Sequence, residues 1–416
     1  MTKKNYSFEK VNTIGRAEIK AALKVLKSGV LSDFLASPSG NMFGGKKVIE
    51  FENAIKKKFG VKYALTFNSW TSGLIAAVGA TDINPGDEVI CTPWTMSATA
   101  ISILHWSAIP VFADIDPLTY NLDIASVKKL INKRTKAIIS VDIFGRSAQQ
   151  DELYKLAKKK NIILISDTAQ APGSKHNGYF SSTKCHMGGF SLNYHKHINT
   201  GEGGILITNY KKHYLKAAFI RNHAEVLVKK NIKKKNLVNM VGYNFRMNEI
   251  EAAIGIEQLK KLNKILKKRI KVAKKIISEI GNLYGLTTVK LSEIKNYSNV
   301  FYLLPFQIDF KKIKSSRKTI IKHLREEGMP GLIEGYSNVH RLPIFQKKIA
   351  HGNKGHPWNL SKVHFDYSKG ICPNAEFLHD KSFFGFLLCL FELKDEDIKI
   401  LTRTFKEVWN QKVKKI

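Results

Sequence analysis

Between residues 62 and 208 short apolar runs alternate with helical segments, and few folds accept that alternation. The runs 62–67, 88–92, 109–114, 136–142 and 161–167 read as strands. Helices are predicted from the Asn68-Ser69-Trp70-Thr71-Ser72-Gly73 stretch to about 81, over 97–105 and over 124–131. Strands separated by helices pair in parallel through right-handed crossovers. The run Asn161-Ile-Ile-Leu-Ile-Ser-Asp167 is apolar almost throughout, as a strand covered on both faces must be. The expected fold class is therefore α/β, with a mostly parallel sheet in a large domain.

That frame gives meaning to the stretch Ser191-Leu-Asn-Tyr-His-Lys196-His-Ile-Asn-Thr-Gly201-Glu-Gly-Gly204. An apolar strand over 188–192 delivers it, and a strand over 204–208 carries the chain back into the core. Lys196 is placed at the tip of the connection, and the glycines that follow permit backbone angles closed to other residues. In a chain with 68 Lys+Arg, most lysines are solvated surface groups. Lys196 differs because Asp167, with Thr168-Ala169-Gln170 behind it, ends the preceding strand, where open α/β sheets bind ligands. A lysine as covalent anchor and an aspartate facing a protonated ring nitrogen are the pair that pyridoxal phosphate chemistry requires.

Asp167-Thr-Ala-Gln170 followed by Ser191-x4-Lys196-x4-Gly201-Glu-Gly-Gly204 closely resembles the DegT/DnrJ/StrS family of sugar aminotransferases, over nearly the whole chain. The resemblance implies a fold-type I pyridoxal phosphate-dependent transferase: a large cofactor-binding domain over 1–262 and a smaller C-terminal α+β domain over 263–416. A subset of the family carries histidine at the anchor and dehydrates its sugar. His195 and His197 flank the lysine here, but the spacing from Ser191 and to Gly201 puts Lys196 at the anchor. Lys196 and Asp167 are the implied catalytic residues. Thr71 and Ser72, opening a helix whose amide groups suit a phosphate, and Ser191 are implied phosphate ligands. Gln170 is expected to bond the cofactor hydroxyl or orient the ring.

Two departures from the family pattern stand out. Trp70 occupies a position usually held by a small residue, so its side chain has to point away from the phosphate or reshape the pocket. Met96 takes the place of the aromatic residue that stacks on the cofactor, a role its polarizable sulfur can fill with less overlap. Trp94 substitutes for it only if the loop shifts, and otherwise belongs to the core.

Gly242-Tyr-Asn244-Phe-Arg246 resembles a second family motif, followed by a helix toward 277. In relatives the asparagine crosses to the neighbour's cofactor phosphate, so Asn244 implies a homodimer with shared active sites. Further on, a strand over 299–308, a helix over 316–328 and a closing helix over 395–409 are predicted. His340, in a loop that resembles the family's substrate-side segment, is either a substrate contact or, the preferred reading, a hydrogen-bonded structural histidine; Asp114, Asp116 and Asp142, at strand ends, are assigned no chemistry.

The resemblance implies pyridoxal 5'-phosphate as cofactor, an amino-acid donor (L-glutamate by likeness) and a nucleotide-linked keto-deoxysugar as acceptor. A pyridoxamine-dependent sugar dehydratase, an aminotransferase for another phosphorylated or cyclic ketone, and a non-catalytic binding protein stay open. The formal net charge of +34 raises nucleic acid as a partner, but the excess is lysine spread along helices rather than arginine among aromatics, so no nucleic acid is expected. The one dense cluster, between Lys229 and Lys235, reads as a solvated loop whose charge suits a diphosphate if it folds over the site. No apolar run reaches membrane-spanning length and the first residues lack a secretory signal pattern, which places the expected protein in the cytoplasm. The four cysteines lack C-x-x-C spacing, so no metal site or disulfide framework is expected.

Overall fold

The computed structural model describes residues 6–36, 41–224, 239–294 and 298–416; the lysine cluster near 229–235 lies outside the described residues. Helix α1 (Arg16–Ser28) ends at Gly29 in the left-handed conformation (φ 71°), and α2 (Lys46–Phe59) ends the same way at Gly60 (φ 67°). The large sheet is built from β1 (Tyr63–Phe67), β2 (Glu88–Cys91), β3 (Ile109–Phe112), β4 (Thr135–Val141), β5 (Ile163–Asp167), β6 (Met187–Ser191) and β7 (Gly204–Thr208). Its order is β1-β7-β6-β5-β4-β2-β3. The four pairings from β6 through β5, β4 and β2 to β3 are parallel, while β7 runs antiparallel to both β6 and β1.

Between strands lie α3 (Trp70–Gly79), α4 (Ala98–Leu104), α5 (Ile124–Leu130), α6 (Gln150–Lys159) and α7 (Lys211–Arg221). The sequence reading contained no counterpart of α6; α3, α4, α5 and the seven strands match their predicted ranges within about two residues. Strands β4 and β5 are buried almost end to end, as parallel strands between helical layers must be.

A 32-residue helix, α8 (Glu249–Ile280), then runs through the expected domain boundary without a break. Asn248 caps it, its side chain accepting from the Glu251 amide at 2.9 Å. Leu259, Leu262 and Leu266 pack with the large sheet, whereas Ala273, Ile276 and Ile280 pack with the C-terminal unit. The core thus changes hands within one helix, between Leu266 and Ala273, rather than at a linker.

The C-terminal unit is a four-stranded antiparallel sheet, with β8 (Leu286–Thr288), β9 (Leu304–Ile308), β10 (Leu332–Glu334) and β11 (Phe383–Phe386) in the order β8-β9-β11-β10. Helices α9 (Arg317–Glu326) and α10 (Asp395–Gln411) pack on it. Phe8, near the start of the chain, joins this core.

The strand expected over 299–308 forms only from Leu304. Before it the chain is held in a turn: Phe301 has φ 52°, its amide bonds the Asn299 side chain at 2.9 Å, and the Tyr302 amide bonds the Phe144 carbonyl at 3.0 Å. A Cβ on Gly145 would lie 2.6 Å from the Phe301 nitrogen, so glycine is needed for this close approach. The turn matters because it swings Tyr302 back toward the large sheet.

Candidate active site

Parallel strands β4, β5 and β6 end side by side at Val141, Asp167 and Ser191, and a cleft of about 340 Å³ opens over these ends. That size falls in the range of small-molecule sites, roughly 300–1,000 Å³. Thr71, Met96, Asp167, Gln170, Ser191 and Lys196 all line it.

Asp167 is buried on its floor. The Trp70 indole Nε1 donates to Oδ1 at 2.7 Å, the Ala169 amide donates to the same oxygen at 3.1 Å, and the Thr99 hydroxyl donates to Oδ2 at 2.9 Å. Burial drives the carboxyl above its usual range, and these three hydrogen bonds with the Lys196 charge pull it back down. Trp70 therefore does not intrude on a phosphate seat: it turns inward, and its ring fills space that a Cβ on Gly189 would enter at 2.3 Å. Sequence reasoning noted the odd residue but missed its partner.

Past β6 the chain folds on itself through backbone bonds from Leu192 N to Gly203 O (2.9 Å), Thr200 N to Leu192 O (2.9 Å) and Lys196 N to Asn193 O (2.9 Å). Gly201, at φ 87°, makes the return possible. Lys196 is left 8% exposed, with Nζ 4.6 Å from the centroid of the Tyr302 ring. Among the described residues Nζ makes no hydrogen bond or ion pair. Burial lowers its pKa to about 8, opposed by Cys389 and Asp167.

The N-terminus of α3 meets the same cleft. Ser69 caps the helix, its Oγ accepting from the Ser72 amide at 3.1 Å and lying 2.9 Å from the Ser72 hydroxyl. Ser72 is thereby bound to the cap and does not line the cleft, whereas Ser69 and Thr71 do. A Cβ on Gly204 would stand 2.5 Å from both Ser69 C and Trp70 N, so β7 can seat this helix start only with glycine there.

On the far wall Gln170 accepts from the Phe144 amide at 2.8 Å and donates to the Tyr336 hydroxyl at 2.9 Å. Met96 is 59% exposed at the mouth, its sulfur accepting from the Ala98 amide at 3.2 Å. Trp94 is fully buried, edge-on to Phe383 at 5.3 Å, so it belongs to the core. Tyr302 and Tyr336 come from far along the chain, and no local pattern marked them.

Asn244 lies outside the cleft, exposed, with Oδ1 accepting from Arg246 Nε at 2.8 Å. His340 is fully buried and bonds Glu376 at 3.0 Å, a carboxylate that also holds the Gly370 amide. Asp114 accepts from the Asn374 and Ala375 amides, and Asp142 from the Ala148 amide, Gln150 and Thr168. These are structural bonds. The four cysteines are free thiols, all buried. Among the described residues no helix is long and apolar enough to cross a membrane.

The sequence model of the DegT/DnrJ/EryC1/StrS aminotransferase family matches residues 28–362. The UDP-4-amino-4,6-dideoxy-N-acetyl-beta-L-altrosamine transaminase of Helicobacter pylori is 33% identical over 347 residues, 81% of this chain and 84% of the relative. Among solved structures, Helicobacter pylori PseC, an aminotransferase involved in the biosynthesis of pseudoaminic acid, superposes with a TM-score of 0.79 at 27% identity, covering 98% of this chain and 100% of its own. The E. coli GDP-4-keto-6-deoxy-D-mannose-3-dehydratase, solved with bound hydrated pyridoxal phosphate, gives 0.78 at 25% identity, covering 97% and 100%.

Proposed function

The chain belongs to the DegT/DnrJ/EryC1/StrS aminotransferase family, and from that premise we propose that it moves the amino group of an amino acid, L-glutamate, to a keto group on a nucleotide-linked deoxysugar. It is a pyridoxal 5'-phosphate-dependent aminotransferase. In the overall exchange the donor leaves as a 2-keto acid and the ketone becomes an amine, so no oxidant or reductant is consumed.

The residues fit the cofactor. An amine without a hydrogen-bond acceptor, a carboxylate at a strand end and a serine-capped helix start share one cleft, which suits an aldehyde, a protonated ring nitrogen and a phosphate. When bound, pyridoxal phosphate supplies an electron-withdrawing ring that accepts the electron pair released as a C–H bond of the amino substrate breaks. Lys196 would hold the cofactor and would be the base that takes up and returns that proton; a pKa of about 8 keeps a useful fraction of the amine neutral near neutral pH. Asp167 keeps the ring nitrogen protonated, and Trp70 and Thr99 hold that carboxylate in place. Thr71 and Ser191 would hold the phosphate, with Ser72 acting through the cap, while Gln170 and Met96 would contact the ring.

The observation that carries the reading is the unpaired Lys196 amine in the same cleft as Asp167. Lys196→Ala is expected to retain the fold, by circular dichroism, and to lose transamination; substantial remaining turnover would contradict the assignment. A dehydratase is the second reading, favoured by the likeness to the E. coli enzyme. Product analysis separates them, because an aminotransferase adds nitrogen and a dehydratase removes oxygen. By the family pattern a lysine at the anchor favours the first.

We further read the protein as a homodimer with shared sites. Asn244 sits outside its own cleft, and exposed Leu31, Leu35 and Val241 lie on the same part of the molecule, where the Leu31 and Leu35 carbonyls bond Glu249 and Asn222. If Asn244 serves the partner, mixing inactive Lys196→Ala and Asn244→Ala chains restores activity, since the mixed dimer holds one site with both residues intact. Mixtures no more active than their parents, under conditions where subunits exchange, would refute sharing. Four free thiols suit a reducing compartment, and we place the reaction in the cytoplasm.

A further inference from the structure

A guanidinium removed from water without a counter-charge is among the costliest arrangements a fold can carry. Arg269, on α8, is 7% exposed, and none of its nitrogens makes a hydrogen bond or ion pair with a described residue; Nη1 is fully buried. The groups nearest in charge do not compensate it. Burial raises the Tyr302 hydroxyl and the Cys389 thiol, keeping both neutral, and holds His197 uncharged.

Arg269 lines a cavity of about 440 Å³ between α8, residues 11–13 and the segment leading to α10. Helical spacing brings Lys261, Ile265, Lys268, Arg269 and Val272 to this side of α8. Two of the cations are already matched, Lys261 by Glu18 and Lys268 by Glu392. Lys264, exposed at the rim, has no acidic partner among the described residues. The remaining lining mixes apolar side chains, Ile265, Val272, Leu388 and Phe391 prominent, with Asn12, Thr13 and the Glu392 carboxylate, which Lys268 neutralises. The cavity shares no lining residue with the cleft that holds Lys196.

We propose that this cavity is a second ligand site, for a small organic anion: one phosphate or carboxylate group paired with Arg269 and Lys264, on an apolar body about the size of a single ring. A charged group of opposite sign resolves the unpaired guanidinium, and Arg is the side chain best shaped to grip either acid through two parallel bonds. Ile265, Val272, Leu388 and Phe391 give an acid with a ring apolar contacts that a bare inorganic ion lacks, which favours the organic anion. This site does not depend on the proposed sugar chemistry.

The test is calorimetric titration of the full-length enzyme, loaded with pyridoxal 5'-phosphate, with phenyl phosphate, benzoate and inorganic phosphate as separate probes. One saturable event per chain is expected with phenyl phosphate or benzoate, and whichever binds tighter identifies the acid. Inorganic phosphate should bind at least tenfold more weakly. Lys264→Glu, an exposed substitution that leaves the fold intact, should weaken the organic probe by roughly tenfold or more, by reversing a charge beside the anion. Arg269→Gln should abolish binding. No saturable binding at millimolar concentration, inorganic phosphate binding as tightly as phenyl phosphate, or affinity unchanged in Lys264→Glu would each overturn the proposal. If Arg269→Gln does not fold, Lys264→Glu decides it.

Discussion

Replacing Trp70 by phenylalanine removes one hydrogen bond to a buried carboxylate and leaves the rest of the Asp167 shell in place. The lost bond, 2.7 Å from Nε1 to Oδ1, is the strongest of the influences that lower the Asp167 pKa against burial. A hydrogen bond to a charged group contributes about 1.5–3 kcal/mol, and its loss raises the Asp167 pKa further above the ordinary carboxylate range. The sign follows from linkage. Because the folded carboxyl already titrates above its unfolded value, stability falls as pH rises through that interval and levels off above the folded pKa. Raising the folded pKa further deepens the loss at neutral pH and changes nothing below the unfolded value. The smaller ring also leaves a cavity, but a cavity costs the same at every pH. Thermal unfolding of the cofactor-free protein, wild type against Trp70→Phe, should therefore show a stability gap that widens as pH rises above the ordinary carboxylate range, by about 1.5–3 kcal/mol in all. In the loaded enzyme the pH at which the cofactor absorbance changes should shift as well. A gap that stays constant as pH rises would mean that Trp70 only fills space, and the electrostatic account of the site would fail.

Two other perturbations probe the same cleft. Gly204→Ala places a methyl 2.5 Å from Ser69 C and Trp70 N, backbone atoms that cannot rotate away, so it should displace the start of α3. Overpacking of this kind costs about 1–3 kcal/mol, and a thermal melt with a cofactor titration should show lower stability together with weaker cofactor binding; unchanged cofactor affinity would remove the helix start from the phosphate site. For Lys196, burial sets the amine at about 8, well under the ordinary lysine range. Acylation of the cofactor-free protein, followed at this residue by mass spectrometry, should have its pH midpoint near 8, and a midpoint shared with the exposed lysines would show that the amine is not desolvated.

How much of this was legible in the sequence depended on the range of the interactions involved. Strands β1 to β7 follow from apolar runs bounded by polar or glycine residues, a local signal that burial on both faces enforces. Once the sheet is parallel there, Asp167 at the end of β5 and Ser191 at the end of β6 must be neighbours, because Asp167 pairs with Gly189 in register. The Lys196 loop is equally local, closing through bonds among residues 192–203. The reading failed where partners lie far apart in the chain. Tyr302 reaches Lys196 only because Asn299, Phe144 and Gly145 hold a turn where apolar content alone suggests a strand.

Trp70 shows why composition at one position can mislead. Judged against a phosphate seat alone, a large ring is an obstruction. In three dimensions the absent side chain of Gly189 provides its space and Asp167 provides its acceptor. Trp70 thus sits on the carboxylate that, in the proposed assignment, faces the cofactor's ring nitrogen. If α3 seats the phosphate as proposed, a substitution at its start also acts on the carboxylate proposed to face the ring nitrogen, and the pH dependence of Trp70→Phe measures the bond that joins the two.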